Sequence, residues 1–265
     1  MLPYTTYLID LDGVVYRGNE LLPGAIAFVN WLEANSKKYL FLTNNSFATG
    51  AQILAKLQRL GISTDNAHLL TAGQAAVQYI ARRFPHGTVY VVGEKPLMQL
   101  VESQGLTVAA LDAQQADAIL VGLDRSFDYE KMTSAANAVR AGALFVTINR
   151  DPVLPIAEGF IPGCGALAAA IEVSSGISPE VVGKPEPRLL QEAMRMLGSR
   201  PDKTVMVGDT LSVDILAGHN AGTHTILVLS GSSSQKELEE SSLKPDHVYE
   251  NLADMLQKEG LDSVS

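Results

Sequence analysis

Short apolar runs that end in polar residues recur along this chain. The first is Tyr7-Leu8-Ile9 with Leu11, which carries carboxylates at Asp10 and Asp12 and meets Gly13, so it predicts a buried strand with a sharp exit. Helical spacing follows over 25–35, where Ala25, Phe28, Val29 and Leu32 recur after Pro23-Gly24. A second apolar run, Tyr39-Leu40-Phe41-Leu42, ends in Thr43-Asn44-Asn45, and Ile53, Leu54 and Leu57 put one apolar face on a helix stopped by Gly61. From about Leu70 the alternation starts afresh. Helices are predicted over 74–83, 96–104, 129–141 and 165–174, with strands over 89–92, 106–109, 118–121 and 144–148.

The last third repeats the first. The run at 180–182 leads through Gly183 into Lys184-Pro185, and a helix is predicted over 187–197. The run at 204–207 ends in Gly208-Asp209-Thr210, with a helix over 212–221 and a buried strand over 224–229 behind it. Strands alternating with helices predict an α/β fold built on a parallel, doubly wound sheet, whose sites lie at the carboxyl ends of its strands. The middle section holds enough strands to be a smaller α/β unit of its own. The expected division is a discontinuous core, 1–70 with 182–265, and an inserted domain, 71–181. Ser230 to Ser234, with Gly231, reads as a connecting loop.

Composition narrows the class. The chain has 265 residues, 46% of them hydrophobic and 18% charged, enough to bury a core and too apolar for disorder. A net charge of -9 disfavours a nucleic acid polymer as partner, because backbone binding needs clustered Lys and Arg. The single cysteine, Cys164, excludes an internal disulfide, and no apolar run approaches a membrane span, so a cytoplasmic protein is expected.

The polar strand ends suggest chemistry only when taken together. A lone D-x-D most often just solvates a strand end, and Thr, Asn and Asp favour turns and caps. Two carboxylates about 4 Å apart repel by roughly 4 kcal/mol at an effective dielectric near 20, so a cation is expected between Asp10 and Asp12. Four strand ends on one sheet edge bring together Asp10 and Asp12, Thr43 with Asn44 and Asn45, Lys184, and Asp209 with Asp214. Such a set suits Mg²⁺ and a phosphate. Asp10, Asp12 and Asp209 offer the hard oxygens Mg²⁺ requires, Thr43 and amides beside Asn44 can donate to phosphoryl oxygens, and Lys184 offsets the negative charge. One aspartate can then attack phosphorus while another moves the proton.

These motifs resemble those of the haloacid dehalogenase superfamily: D-x-D-G-V at Asp10 to Val14, T-N-N at Thr43 to Asn45, G-K-P at Gly183 to Pro185, and G-D-x-x-x-x-D from Gly208 to Asp214. The likeness spans essentially the whole chain. It implies a Rossmann-like core, Asp10 as nucleophile, Asp12 as general acid and base, and Thr43 and Lys184 as phosphate binders beside Gly13, Asn44 and Asn45. It also implies Mg²⁺ on Asp10, Asp209 and the backbone carbonyl of Asp12, with Asp214 in the outer shell. The position of the insertion, with D-L-D-G-V-V-Y-R-G and I-P-G-C-G-A-L, is similar to the C2-capped, NagD-like phosphatases. That subgroup implies a small phosphorylated metabolite as partner, a cap that selects it, Asn149 to Asp151 and the Gly163-Cys164-Gly165 turn toward the leaving group, and a homodimer through the cap.

Other features carry less. Cys164 precedes a stretch without the arginine a cysteine phosphatase needs, and Gly163-x-Gly165-x-x-Ala168 has no strand leading straight into it. His219 and the other histidines show no metal spacing, and Trp31 and Phe28 are core candidates. Two rivals to hydrolysis remain at this level: a phosphomutase using the same Asp10, and a phosphate-binding regulatory module.

Overall fold

The structure, a computed structural model, describes residues 2–45, 48–110, 115–156 and 158–261. The chain opens with β1 (Thr6–Asp10), a hairpin of β2 (Tyr16–Arg17) and β3 (Glu20–Leu21), α1 (Ala25–Ala34), β4 (Lys38–Thr43), α2 (Gly50–Arg59) and β5 (Leu69–Thr71). Its middle adds α3 (Ala72–Arg83), β6 (Thr88–Val92), α4 (Lys95–Ser103), β7 (Thr107–Val108), β8 (Ala118–Val121) and α5 (Tyr129–Arg140). There follow β9 (Leu144–Thr147), β10 (Val153–Ile156), β11 (Gly159–Pro162), α6 (Cys164–Ser175) and β12 (Glu180–Val181). The last part holds α7 (Arg188–Leu197), β13 (Thr204–Gly208), α8 (Leu216–Ala221), β14 (His224–Val228), α9 (Gln235–Glu240), β15 (His247–Tyr249) and α10 (Leu252–Lys258). Two compact units result: Met1–Thr43, Gly50–Leu70 and Lys184–Ser265 form the first, and Asn44–Thr49 with Thr71–Gly183 form the second.

In the first unit the described strands form a six-stranded sheet in the order β15-β14-β13-β1-β4-β5. β1 lies parallel to both β4 and β13, with Asp10 opposite Leu42 and Ile9 opposite Val207. Asp10, Thr43 and Asp209 therefore leave the sheet at one edge, within a residue of the same level. The chain builds outward from β1 through β4 and β5, then returns on the other side of β1 at β13. The crevice between β1 and β13 is thus the point where strand order reverses, the position that binds ligands in open α/β sheets. Every residue of β1, apolar or not, is buried, which accounts for its continuous Tyr-Leu-Ile run. Tyr7 packs edge-on against Phe28 and Trp31 of α1, with ring centroids 5.7 and 5.8 Å away. Each such fully buried large side chain contributes about 1.5–3 kcal/mol, so β1 sits on a firm base.

The second unit has a five-stranded sheet of its own, in the order β12-β9-β8-β6-β7, with every recorded pairing parallel. Tyr90, Val92, Ile119, Val121 and Phe145 of this sheet share a core with Leu167, Ala168 and Ile171 of α6. α3 starts on a capping box, Thr71 with Gln74, which ends β5 and begins the helix in a single step.

Two features depart from the periodicity of the sequence. Val153–Ile156 and Gly159–Pro162 pair as an antiparallel hairpin, in which Val153, Ile156 and Phe160 are exposed and β11 shows no alternation. The helix expected over 212–221 is opened by a π-helical turn, Leu211–Ile215, before α8 continues it. None of the described helices is long and apolar enough to cross a membrane.

Candidate active site

The site grows from the end of β1. After Asp10 the backbone folds back on itself, with the amides of Val15 and Tyr16 donating to the carbonyl of Leu11 and that of Gly13 to Tyr16. Asp12 lies on this turn and is exposed, whereas Asp10 is buried. Gly13 holds a φ of 85°, and a Cβ there would stand 2.3 Å from Asp209 Oδ2. Glycine is therefore required twice over, by the backbone and by the approach of Asp209.

Lys184 is the centre of the charge pattern. Its ammonium, 4% exposed with its residue, donates to Asp10 Oδ1 and to Asp214 Oδ1, each at 2.6 Å. Asp214 reaches this position from the π-turn, where the amide of Ile215 donates to Thr210 five residues back and widens the first turn. Its other oxygen accepts the amides of Asp209 and Thr210 at 3.2 and 3.1 Å. Asp209 is held in turn by the Ser232 amide at 2.6 Å on Oδ2 and by the Thr210 hydroxyl at 3.0 Å on Oδ1.

Asp10, Asp209 and Asp214 each present an oxygen within 4.8 Å of the others, an all-oxygen set able to hold a metal ion. Three buried carboxylates against one ammonium leave the cluster short of positive charge. The titration of Asp10 reflects this: burial pushes it up to about 7, with Asp214 and Asp209 adding to the rise and Lys184 opposing it. Asp209 is raised as well, by burial first and Asp214 second. Burial alone would lower Lys184, but the charges and hydrogen bonds of Asp10 and Asp214 outweigh it, so Lys184 stays charged. The rise on Asp10 and the rise on Lys184 are compatible, because one ammonium cannot neutralise three carboxylates. A divalent cation would.

Thr43 ends β4 one residue beyond the level of Asp10 and is 8% exposed. Asn45 turns its side-chain oxygen to the amide of Ala48 at 3.0 Å. In the second unit, Asn149 and Cys164 are each 1% exposed. Cys164 Sγ donates to Asn149 Oδ1 at 2.7 Å. Gly163 is the residue before α6 and Gly165 its second residue, with the Gly165 amide donating to the carbonyl of Asp151 at 3.0 Å. His219 is exposed on α8.

Sequence reasoning passed over the 230–234 loop. Ser232 holds Asp209, the Ser230 hydroxyl donates to the Gly13 carbonyl at 2.7 Å, Ser233 accepts the Leu211 amide at 2.9 Å, and Arg17 of β2 donates to the Ser230 carbonyl. Ser-and-Gly chemistry directly after an apolar strand was the available signal. Lys56 was also missed: its ammonium sits 3.4 Å from the Tyr16 ring centroid, and its titration is lowered by burial, with Asp12 pulling the other way.

The comparisons agree with this architecture. The family model described as haloacid dehalogenase-like hydrolase matches residues 7–107, and a second HAD-hydrolase-like model matches 181–255. The chain belongs to the haloacid dehalogenase-like hydrolases. It is 39% identical over 256 residues to the 5'-nucleotidase YutF of Bacillus subtilis, covering 97% of this chain and 99% of that one. It is 35% identical over 258 residues to an acid sugar phosphatase of Staphylococcus saprophyticus, at 97% and 99% coverage. Among solved structures it is similar to a p-nitrophenylphosphatase from Bacillus stearothermophilus, with a TM-score of 0.87, 38% identity and coverage of 96% and 98%. NagD from E. coli K-12 superposes with a TM-score of 0.86 at 34% identity, covering 96% and 98%. Within the family the chain is thus a phosphatase of the NagD-like kind.

Proposed function

We propose that this phosphatase hydrolyses small phosphorylated metabolites with Mg²⁺ as cofactor, through a phospho-Asp10 intermediate. The observation that carries the reading is the buried ammonium of Lys184 bridging Asp10 and Asp214 at 2.6 Å each. An ammonium there orients the Asp10 carboxylate and meets an incoming phosphoryl group with positive charge. Asp10 attacks phosphorus as the bond to the leaving oxygen breaks, and Asp12 protonates that oxygen. Asp12 then takes a proton from water, which attacks phospho-Asp10, releases phosphate and regenerates the carboxylate. The contrast between a buried Asp10 and an exposed Asp12 supports these separate roles.

Thr43 and Lys184 hold phosphoryl oxygens, with amides near Gly13, Asn44 and Asn45 as further donors. Asp10, Asp209 and the carbonyl of Asp12 would hold Mg²⁺, which when bound supplies positive charge against the phosphoryl oxygens. The all-oxygen donors and the charge deficit of the cluster fit that ion. Asp214, both of whose oxygens are engaged by Lys184 and two amides, orients the set from behind.

The names of the relatives suggest a nucleotide, a sugar phosphate or 4-nitrophenyl phosphate as substrate. Phosphate release from those three ester types, with Mg²⁺ and with a chelator, tests the proposal. Turnover that stops in chelator and returns with Mg²⁺ is expected; no release from any ester, or release unaffected by chelation, overturns it.

A further inference from the structure

In the loop after β9, the buried Asn149 side chain does not have the freedom that contact with a leaving group would need. Asn149 spends its side-chain nitrogen and oxygen, and its main-chain carbonyl, on its own unit. Its Nδ2 donates to the main-chain carbonyl of Asn44 at 2.9 Å. Its Oδ1 accepts the Asp151 amide at 3.0 Å and the Cys164 thiol at 2.7 Å, and its carbonyl accepts the Thr147 hydroxyl at 3.0 Å. The amide orientation follows from these partners: turned over, its NH₂ would face two donors and its oxygen a carbonyl.

The surrounding backbone is equally committed. The amide of Gly163 donates to Pro152 at 2.9 Å and that of Gly165 to Asp151 at 3.0 Å. A Cβ at Gly163 or Gly165 would lie 2.3 Å from the carbonyl oxygen of Asp151 or Arg150, so the turn before α6 presses directly onto the 149–152 loop. On the other side, the amide of Gly183 donates to the carbonyl of Ile148 at 2.7 Å, and a Cβ there would stand 2.7 Å from Asn44 Oδ1. Ile148 and Asn149 thus hold both Asn44 and Gly183. Those two residues are covalently next to Thr43 and Lys184.

We infer that Asn149, with Cys164 behind it, is a positioning residue: it fixes the backbone beside Thr43 and Lys184, and so sets how both meet the phosphoryl group. The inference rests on the assignment of Thr43 and Lys184 as phosphate binders. It differs from the resemblance-based expectation, which turned Asn149 and Cys164 toward the leaving group. Two consequences separate them. A positioning residue acts on the phosphoryl group common to all substrates, whereas a leaving-group contact acts on one ester and not another.

The test uses inorganic phosphate as a competitive inhibitor and several esters with unlike leaving groups. Asn149→Asp keeps the acceptor for Asp151 and Cys164, and sets a carboxylate oxygen in place of the donor to Asn44. It should lower kcat about 10- to 100-fold by a similar factor for every ester and weaken phosphate inhibition in parallel, the scale of a small misplacement of binding groups. Cys164→Ala should lower kcat in the same uniform way by a smaller factor, and Cys164→Ser, which keeps a donor, should restore it. If Asn149→Asp does not fold by circular dichroism, the Cys164 pair decides the matter. Inhibition by phosphate unchanged while KM rises for one ester only would overturn the inference and favour a leaving-group contact. Wild-type values in both Asn149→Asp and Cys164→Ala would also overturn it. Failure of the wild type to release phosphate would instead remove the assignment on which it rests.

Discussion

Lys184 Nζ stands 2.6 Å from Asp10 Oδ1, joining residues 174 positions apart, and the carboxylate it touches is the one whose titration is pushed up to about 7. One contact therefore serves two ends. It keeps Asp10 ionisable in a buried place, and it brings the cation proposed to bind phosphate to the proposed nucleophile. The pair does not neutralise its surroundings, since Asp209 and Asp214 are buried beside it.

Asp10→Asn should abolish turnover, by roughly 10⁴-fold or more, as expected when a nucleophile is removed from a group of residues acting as a unit. Asparagine keeps the shape and removes one of three crowded charges, so the fold should be retained. Steady-state release of phosphate, with circular dichroism as the fold control, checks this. Near-normal turnover would rule Asp10 out as nucleophile.

The same variant exposes a stability effect of pH. Between 3.8, the ordinary value for aspartate, and about 7, folded Asp10 keeps a proton that the unfolded chain has released. The folded state binds more protons there, so the contribution of Asp10 to stability falls as pH rises through that window. In chelator, the melting temperature of Asp10→Asn should exceed that of the wild type by an amount that grows from pH 5 to pH 7.5. Mg²⁺ should shrink the gap by stabilising the ionised carboxylate. A difference between the two proteins that is flat with pH would contradict this account.

Gly231→Ala tests the loop behind Asp209. A Cβ at this position would lie 1.9 Å from Asp209 Oδ2, a distance no side chain tolerates, so the carboxylate or the loop must shift. The expected result is a rise of tenfold or more in the Mg²⁺ concentration needed for half-maximal activity, with a loss in kcat on the order of 10²-fold. Unaltered Mg²⁺ activation would show that Asp209 does not depend on this approach.

Much of the site is legible in the sequence. Asp10, Thr43, Lys184 and Asp209 could be placed at strand ends because a strand's apolar run and the polar or glycine residue that stops it are neighbours in sequence. The alternation of strands and helices likewise located the sheet edge shared by Asp10, Thr43 and Asp209, but not Lys184, because the strand before it, β12, pairs with β9 in the second unit's sheet and Lys184 reaches the site only through its contacts with Asp10 and Asp214. The serine-rich loop at 230–234 was read as a connector, since the bond from Ser232 to Asp209 has no local signature. The hairpin of β10 and β11 escaped because β11, exposed along most of its length, carries no alternation for periodicity to detect.

Sequence alone thus determined which chemical groups this chain has and that Asp10, Thr43 and Asp209 stand at strand ends, because short-range propensity and burial of apolar runs decide both. Only the tertiary structure decided which of those groups share a charge, as Lys184 does with Asp10 and Asp214, and which are spent on holding the backbone, as Asn149 is on Asn44. Those outcomes depend on distances of a few ångströms between residues far apart in the chain. Hydrogen bonding and the titration of buried carboxylates change steeply over that range, so packing has the final say in what each motif residue does.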